Sequence, residues 1–260
     1  NITPSNTPMI PKVNLTSASK EDHQSFIKTR KNYRQLIGSL NYLSCTTRPD
    51  ITFAVNSLSQ YLNKPGLSHW KAALKILKYL KGSENHGLVF FWKENEDDDF
   101  HAYAEADYAN CPNTQRSITG YVTIWNGNIL SWRSRKQPTV SVSVSEAEVY
   151  AIVEVTKEIM WIKILFNKIF NIQFNSPTTI WEDNQGAIGF LKGESNHSAF
   201  KTKHVDVKNH FVRREIKIKK IELKYINSNN NLADLLTKPL CRTNLRKAVE
   251  NLKINLCPHL

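Results

Sequence analysis

The residues in this chain best suited to chemistry are carboxylates placed at the ends of separate chain elements. Glu105 and Asp107 close an alternating stretch that starts at Phe100; two residues apart on a strand, they point to the same face. Glu146 and Glu148 sit in the first turn of a long helix that the pattern starts at Ser145. Asp183 follows the β-branched and aromatic run Thr178-Thr179-Ile180-Trp181, where a helix carrying Ala187, Ile188 and Leu191 begins. Asp234 opens a short helix after the polar turn Ser228 to Asn231. In α/β sheets the edge outside the carboxyl ends of the strands is where ligands bind. Like charges gathered there repel unless cations neutralise them, and oxygen-only ligands suit Mg²⁺ or Mn²⁺. Two such ions roughly 3.5–4 Å apart stabilise the attacking and leaving oxygens of an in-line phosphoryl displacement.

Each acid also has a plainer explanation. An Asp at a helix start, such as Asp183, caps orphan N–H groups. Ser145 with Glu148 spells the capping box S-x-x-E, and Asp234 favours a helix N-terminus. Any one of these suffices alone. Acids on four elements, all at positions compatible with one edge, point instead to a metal-dependent site for phosphoryl transfer.

Residues 1–30, with three prolines and many Ser, Thr and Asn, read as a linker or extended lead-in. Residues 31–86 read as helical: Tyr33, Leu36, Ile37, Leu40 and Leu43 form one apolar face, and Trp70, Leu74, Leu77 and Leu80 another. From Gly87 the period changes. Leu88 to Trp92, Phe100 to Ala106, Ile118 to Trp125, Ile129 to Trp132 and Thr139 to Val144 read as extended, with an acidic turn from Glu94 to Asp99 and a hairpin at Asn126-Gly127. The long helix, the strand before Asp183, a basic helix from Phe200 to about Ile218, and a strand through Ile221, Leu223 and Tyr225 follow. Strands that hairpin first and then alternate with helices imply an α/β fold with a mixed sheet covered by helices. Residues 241–260 form a C-terminal tail.

With 260 residues, 40% of them hydrophobic, the chain can bury a sizeable core, and no apolar run approaches the roughly 20 residues of a membrane helix. No membrane partner is expected. Four cysteines far apart, with no CxxC pair, indicate neither a zinc site nor a disulfide framework, and fit reduced thiols inside a cell. The net charge of +12 is concentrated toward the end, with fourteen Lys and Arg against five Asp and Glu from Lys201 to Leu260. A basic segment of that kind attracts nucleic acid first. Lys201, Lys203, His204, Lys208, Arg213 and Arg214 are the candidates to meet backbone phosphates; a solvated basic helix face is the plainer alternative.

Several motifs, taken in order, resemble a known family. Tyr103–Ala109 (YAEADYA), Ser117–Tyr121 (SITGY), Ser131–Gln137 (SWRSRKQ), Ser145–Glu148 (SEAE), Glu182–Ile188 (EDNQGAI), Thr202–Asp206 (TKHVD) and Leu232–Leu240 (LADLLTKPL) resemble the ribonuclease H domain of copia-type LTR retrotransposon Pol polyproteins. Upstream, Tyr33–Leu40, Arg48–Ile51 and His69-Trp70 resemble the end of the reverse transcriptase in the same polyproteins. The resemblance implies a ribonuclease H-like five-stranded mixed sheet at 87–240, preceded by a thumb- or connection-like helical tail of the reverse transcriptase. It implies hydrolysis of the RNA strand of RNA–DNA hybrids by four carboxylates and two Mg²⁺, with Mn²⁺ as a substitute. It also implies an intracellular setting, in a cytoplasmic particle or the nucleus.

Carried over residue by residue, the second, third and fourth acids fall on Glu148, Asp183 and Asp234. The first falls on Glu105, where the family has Asp, with Asp107 as a further candidate ligand. The extra methylene moves the carboxylate outward by about 1.5 Å, and misplacement of about 1 Å can cost roughly a hundredfold in rate. The competing expectation is therefore a catalytically impaired remnant that binds nucleic acid or serves only as structure. The paired Asp-Asp motif of the polymerase site is absent, so the resemblance places the reverse transcriptase palm before Asn1 and predicts no DNA synthesis by this segment.

Overall fold

The computed structural model describes residues 3–11, 15–91, 99–194 and 203–254. The chain divides into two compact units. One comprises residues 1–89, 111–115 and 238–260; the other comprises residues 90–110 and 116–237.

The first unit is helical. Helices α1 (Lys20–Lys28), α2 (Tyr33–Thr46), α3 (Thr52–Ser59) and α4 (Leu67–Gly82) come from its first part, and α8 (Arg242–Asn251) from its last. Helix α1 lies inside the stretch read from sequence as a linker. Ser19 caps it by accepting from the Asp22 N–H, and one side chain, Phe26, anchors it beside Tyr33 and Trp70. A single anchor leaves too little apolar period to detect. The Arg48-Pro49-Asp50 motif forms a buried knot: Arg48 grips Asp50 through two hydrogen bonds of 2.9 and 2.7 Å and donates to the Ser83 carbonyl and hydroxyl. Tyr79 completes it by donating to Asp50 at 2.7 Å. Burying a charged pair is tolerated here because nearly every polar atom finds a partner.

The second unit is α/β. Strands β1 (Phe100–Asp107), β2 (Ile118–Trp125), β3 (Asn128–Lys136), β4 (Thr178–Glu182) and β5 (Ile221–Tyr225) form one sheet in the order β3-β2-β1-β4-β5. The β1–β2 and β2–β3 pairs are antiparallel, and β1–β4 and β4–β5 are parallel. This is the mixed five-stranded, helix-flanked sheet that the resemblance implied. The β2–β3 hairpin turns at Asn126 (φ 48°) and Gly127 (φ 76°), the left-handed pair that lets two residues follow the strand twist. Helices α5 (Val144–Phe170), α6 (Gln185–Lys192) and α7 (Lys203–Lys217) accompany the sheet. Ala102, Ala104 and Ala106 of β1, Ile180 of β4 and Ile221 of β5 share a core with Ile152, Val155 and Ile159 of α5. Each fully buried Ile is worth about 1.5–3 kcal/mol.

Two stretches expected to be extended are not strands. Leu88 to Phe91 is irregular and is fastened by paired bonds between the Phe91 backbone and the Asn128 carboxamide, 2.7 and 2.9 Å long. Residues 139–143 form an irregular approach to α5, in which the Ser141 hydroxyl donates to Gln137 and the Val142 N–H to Glu146. Trp92, the Glu94–Asp98 part of the acidic turn, Lys201 and Cys257 lie outside the described residues. Among the described residues no helix is long and apolar enough to cross a membrane.

Candidate active site

The plainer roles that sequence offered for three acids are taken by their neighbours. Helix α5 is capped by Ser143, whose Oγ accepts from the Glu146 N–H at 3.1 Å, while Glu146 turns back to the Val142 N–H at 2.7 Å. The cap therefore sits two residues before the expected Ser145–Glu148 box, and Glu148 is released from it. At α6 the cap is Asn184, accepting from Ala187 N–H at 2.9 Å, which releases Asp183. The 3₁₀ turn Leu232–Leu236 is capped by Asn231, not by Asp234.

The released acids converge. Ligand oxygens of Glu105, Glu148 and Asp183 lie within 4.8 Å of one another. The β1–β4 register pairs Tyr103 with Trp181, so continuing it by two residues brings Asp183 level with Glu105. Glu148 comes from the second turn of α5 and is 3% exposed; Glu105 is 5% exposed. Gln137, fully buried, fixes the approach of α5: its Nε2 donates to Thr119 Oγ1 and to the Ala147 carbonyl, both at 3.0 Å, and it accepts from Ser141 at 2.9 Å. Asp234, half-buried in its 3₁₀ turn, stands outside the group of three. Asp107 is half-buried, accepts from the Asn110 side chain, and is also outside the group.

Sequence reasoning passed over Glu182. It is fully buried, on the same inward face of β4 as Thr178 and Ile180, and the two-residue alternation of that strand was the available signal. Its Oε1 accepts from the Asn184 N–H at 3.1 Å, while Oε2 has no hydrogen-bond partner among the described residues. Burial lifts the Glu148 carboxyl well above its ordinary value, and the charges of Glu182, Glu105 and Asp183 push the same way. Glu182 is lifted by burial first and by Glu105 next, against backbone N–H groups of Asn184 and Asp183 that favour its charge.

A carboxylate lifted above its ordinary 4.5 stabilises the fold below that pH and loses its contribution as pH rises through the higher folded value. Without divalent ions, the melting temperature is therefore expected to fall from pH 5 to pH 8, and less so in Glu182→Gln. Each 1 kcal/mol recovered by the variant corresponds to roughly 2–4 °C. Parallel melting curves for the two proteins in EDTA would contradict the assignment.

The donor set fits a hard divalent cation: it is all oxygen, clustered, and includes Glu148 Oε2, which has no hydrogen-bond partner among the described residues. The basic candidates divide. Arg214 is exposed, and the Lys208 ammonium lies 4.4 Å over the Tyr150 ring. Arg213 is turned inward, donating to the Phe190 carbonyl at 2.7 Å with its guanidinium 4.6 Å from that ring. Lys203 and His204 begin α7.

The chain is 36% identical over 238 residues to a retrovirus-related Pol polyprotein from transposon RE2 of Arabidopsis thaliana, a match covering 91% of this chain and 16% of that protein. It is 34% identical to the RE1 polyprotein of the same plant, over 98% of this chain and 17% of the relative. It is also 34% identical to the polyprotein of transposon TNT 1-94 of Nicotiana tabacum, over 88% and 16%. The chain thus spans about a sixth of the length of these relatives. No family model matches it. Among solved structures, RNase H1 from Halobacterium salinarum NRC-1 aligns with 58% of this chain and 98% of its own, at 14% identity and a TM-score of 0.38. LC11-RNase H1 in complex with RNA/DNA hybrid aligns with 58% and 99%, at 14% identity and 0.40.

Proposed function

With copia-type retrotransposon Pol polyproteins as homologues over most of this chain, we propose that its α/β unit is a ribonuclease H acting on the RNA strand of RNA–DNA hybrids. Glu105, Glu148, Asp183 and Asp234 are the carboxylates assigned to a two-ion Mg²⁺ site that also accepts Mn²⁺. The observation that carries this reading is the convergence of Glu105, Glu148 and Asp183 within 4.8 Å on three separate elements. Bound divalent ions supply Lewis acidity at the scissile phosphate. The chain's own residues set the geometry: Gln137 fixes the level of Glu148, and the parallel register sets Asp183 beside Glu105. Asp234 would join from its 3₁₀ turn once substrate and ions are present, since apo geometry is commonly looser than that of the working complex.

Lys201, Lys203, His204, Lys208 and Arg214 are proposed to contact phosphates, contacts that carry no sequence information and weaken with salt. Choice of the RNA strand rests on its 2′-hydroxyls. Residues 31–86 are proposed to belong to the reverse transcriptase end of the polyprotein, with the palm as their partner.

A second reading, binding without cutting, is favoured by the longer side chain at Glu105. A labelled RNA–DNA hybrid with Mg²⁺, incubated with wild type and with Glu105→Asp, separates them. Cutting by wild type is the expected result. Cutting only by the variant would support the second reading, and failure of both proteins to bind hybrid would leave a structural role.

A further inference from the structure

We propose that Asn231 is a positioning residue that couples the first and fourth carboxylates; this rests on the metal-site reading above. Asn231 is 4% exposed, and its side chain makes three hydrogen bonds. Nδ2 donates to the Ala104 carbonyl at 2.8 Å and to Glu105 Oε2 at 3.0 Å, while Oδ1 accepts from the Ala233 N–H at 3.1 Å. The orientation of the amide is fixed by chemistry: a carbonyl can only accept and a backbone N–H can only donate, so the NH₂ must face β1.

One short side chain thus joins two elements that are far apart in sequence. Its donor end holds β1 at Ala104 and Glu105. Its acceptor end caps the 3₁₀ turn, and its own carbonyl accepts from the Asp234 N–H at 3.3 Å. Glu105 carries one more rotatable bond than Asp, and a neutral donor on Oε2 restrains that bond without adding charge to an acidic cluster. An Asp at position 231 would keep the cap but place a third acceptor against Glu105 and the Ala104 carbonyl. The carboxamide is the side chain of this length that serves both ends.

The test separates tether from cap. In Asn231→Ser the hydroxyl still caps the turn, since Ser and Asn are comparable there, but it is too short to reach Glu105. Asn231→Ala loses both functions. Mn²⁺ binding to the full chain, followed by electron paramagnetic resonance, is expected to weaken by about 10–100-fold in both variants, the usual range when a residue that orients a metal ligand is removed. The melting temperature is expected to drop in both variants and further in Asn231→Ala, which also loses the cap. Hybrid cleavage by Asn231→Ser should need correspondingly more Mg²⁺. Mn²⁺ binding by Asn231→Ser as tight as wild type would overturn the role of Asn231 alone. A wild-type chain that binds no Mn²⁺ would overturn the metal site and, with it, this coupling.

Discussion

Glu148→Gln is expected to reduce cleavage of an RNA–DNA hybrid about a thousandfold, the loss of roughly 4 kcal/mol of transition-state stabilisation. The substitution keeps the shape of a side chain that is 3% exposed and changes only its charge. The Ala106 backbone N–H that bonds the carboxyl group still has an oxygen to meet. On the proposed reading, in which the basic surface carries hybrid affinity, that affinity should change little. The same variant should melt higher than wild type in EDTA at pH 8, because it removes a charge that burial, Glu182, Glu105 and Asp183 all disfavour. Lower activity with higher metal-free stability marks a side chain kept for chemistry rather than for folding. A variant that loses both activity and stability would make Glu148 structural.

Gly120→Ala is expected to cost about a hundredfold in cleavage rate together with about 1–3 kcal/mol of stability. Gly120 pairs with Glu105 across the β1–β2 ladder. A methyl group there would sit 2.7 Å from Thr237 Cγ2, 2.9 Å from Leu236 Cβ and 3.0 Å from the Ala233 carbonyl oxygen. These atoms belong to or adjoin the turn that carries Asp234, and one of them is backbone, so the turn must lift off the sheet. Asp234 would rise with it while Glu105, Glu148 and Asp183 stay in place. Melting and cleavage measured together check this; a variant with both unchanged would show that the turn yields without moving Asp234.

Much of this architecture was legible because composition and punctuation agreed. Ile118 to Trp125 is rich in β-branched and aromatic residues and is followed by Asn126-Gly127, and the strand and hairpin lie where those signals put them. Helix α5 is legible through its apolar steps, but its start is not: Ser143 and Ser145 both precede a Glu at three residues' distance, and sequence alone cannot say which pair closes the cap. Leu88 to Phe91 has strand composition but forms no strand among the described residues; at Phe91 the Asn128 side chain bonds both backbone groups. For the site, carboxylates at element ends were visible, whereas the neutral residues that arrange them were not. Gln137, Asn184 and Asn231 look like ordinary turn residues until their partners, some more than a hundred positions away, are known. Glu182 was hidden by its neighbour: beside Asp183 it reads as part of one acidic step, although strand alternation turns it inward with Thr178 and Ile180.

Because Ser143, Asn184 and Asn231 hold the three helical starts with uncharged groups, the cap bonds they accept from Glu146, Ala187 and Ala233 N–H do not depend on the ionisation of the clustered acids. On the metal-site reading proposed above, chelation should therefore abolish cleavage while the far-ultraviolet circular dichroism stays unchanged. On that reading, such an architecture would keep its fold while the proposed site is empty and would need no refolding when ions bind.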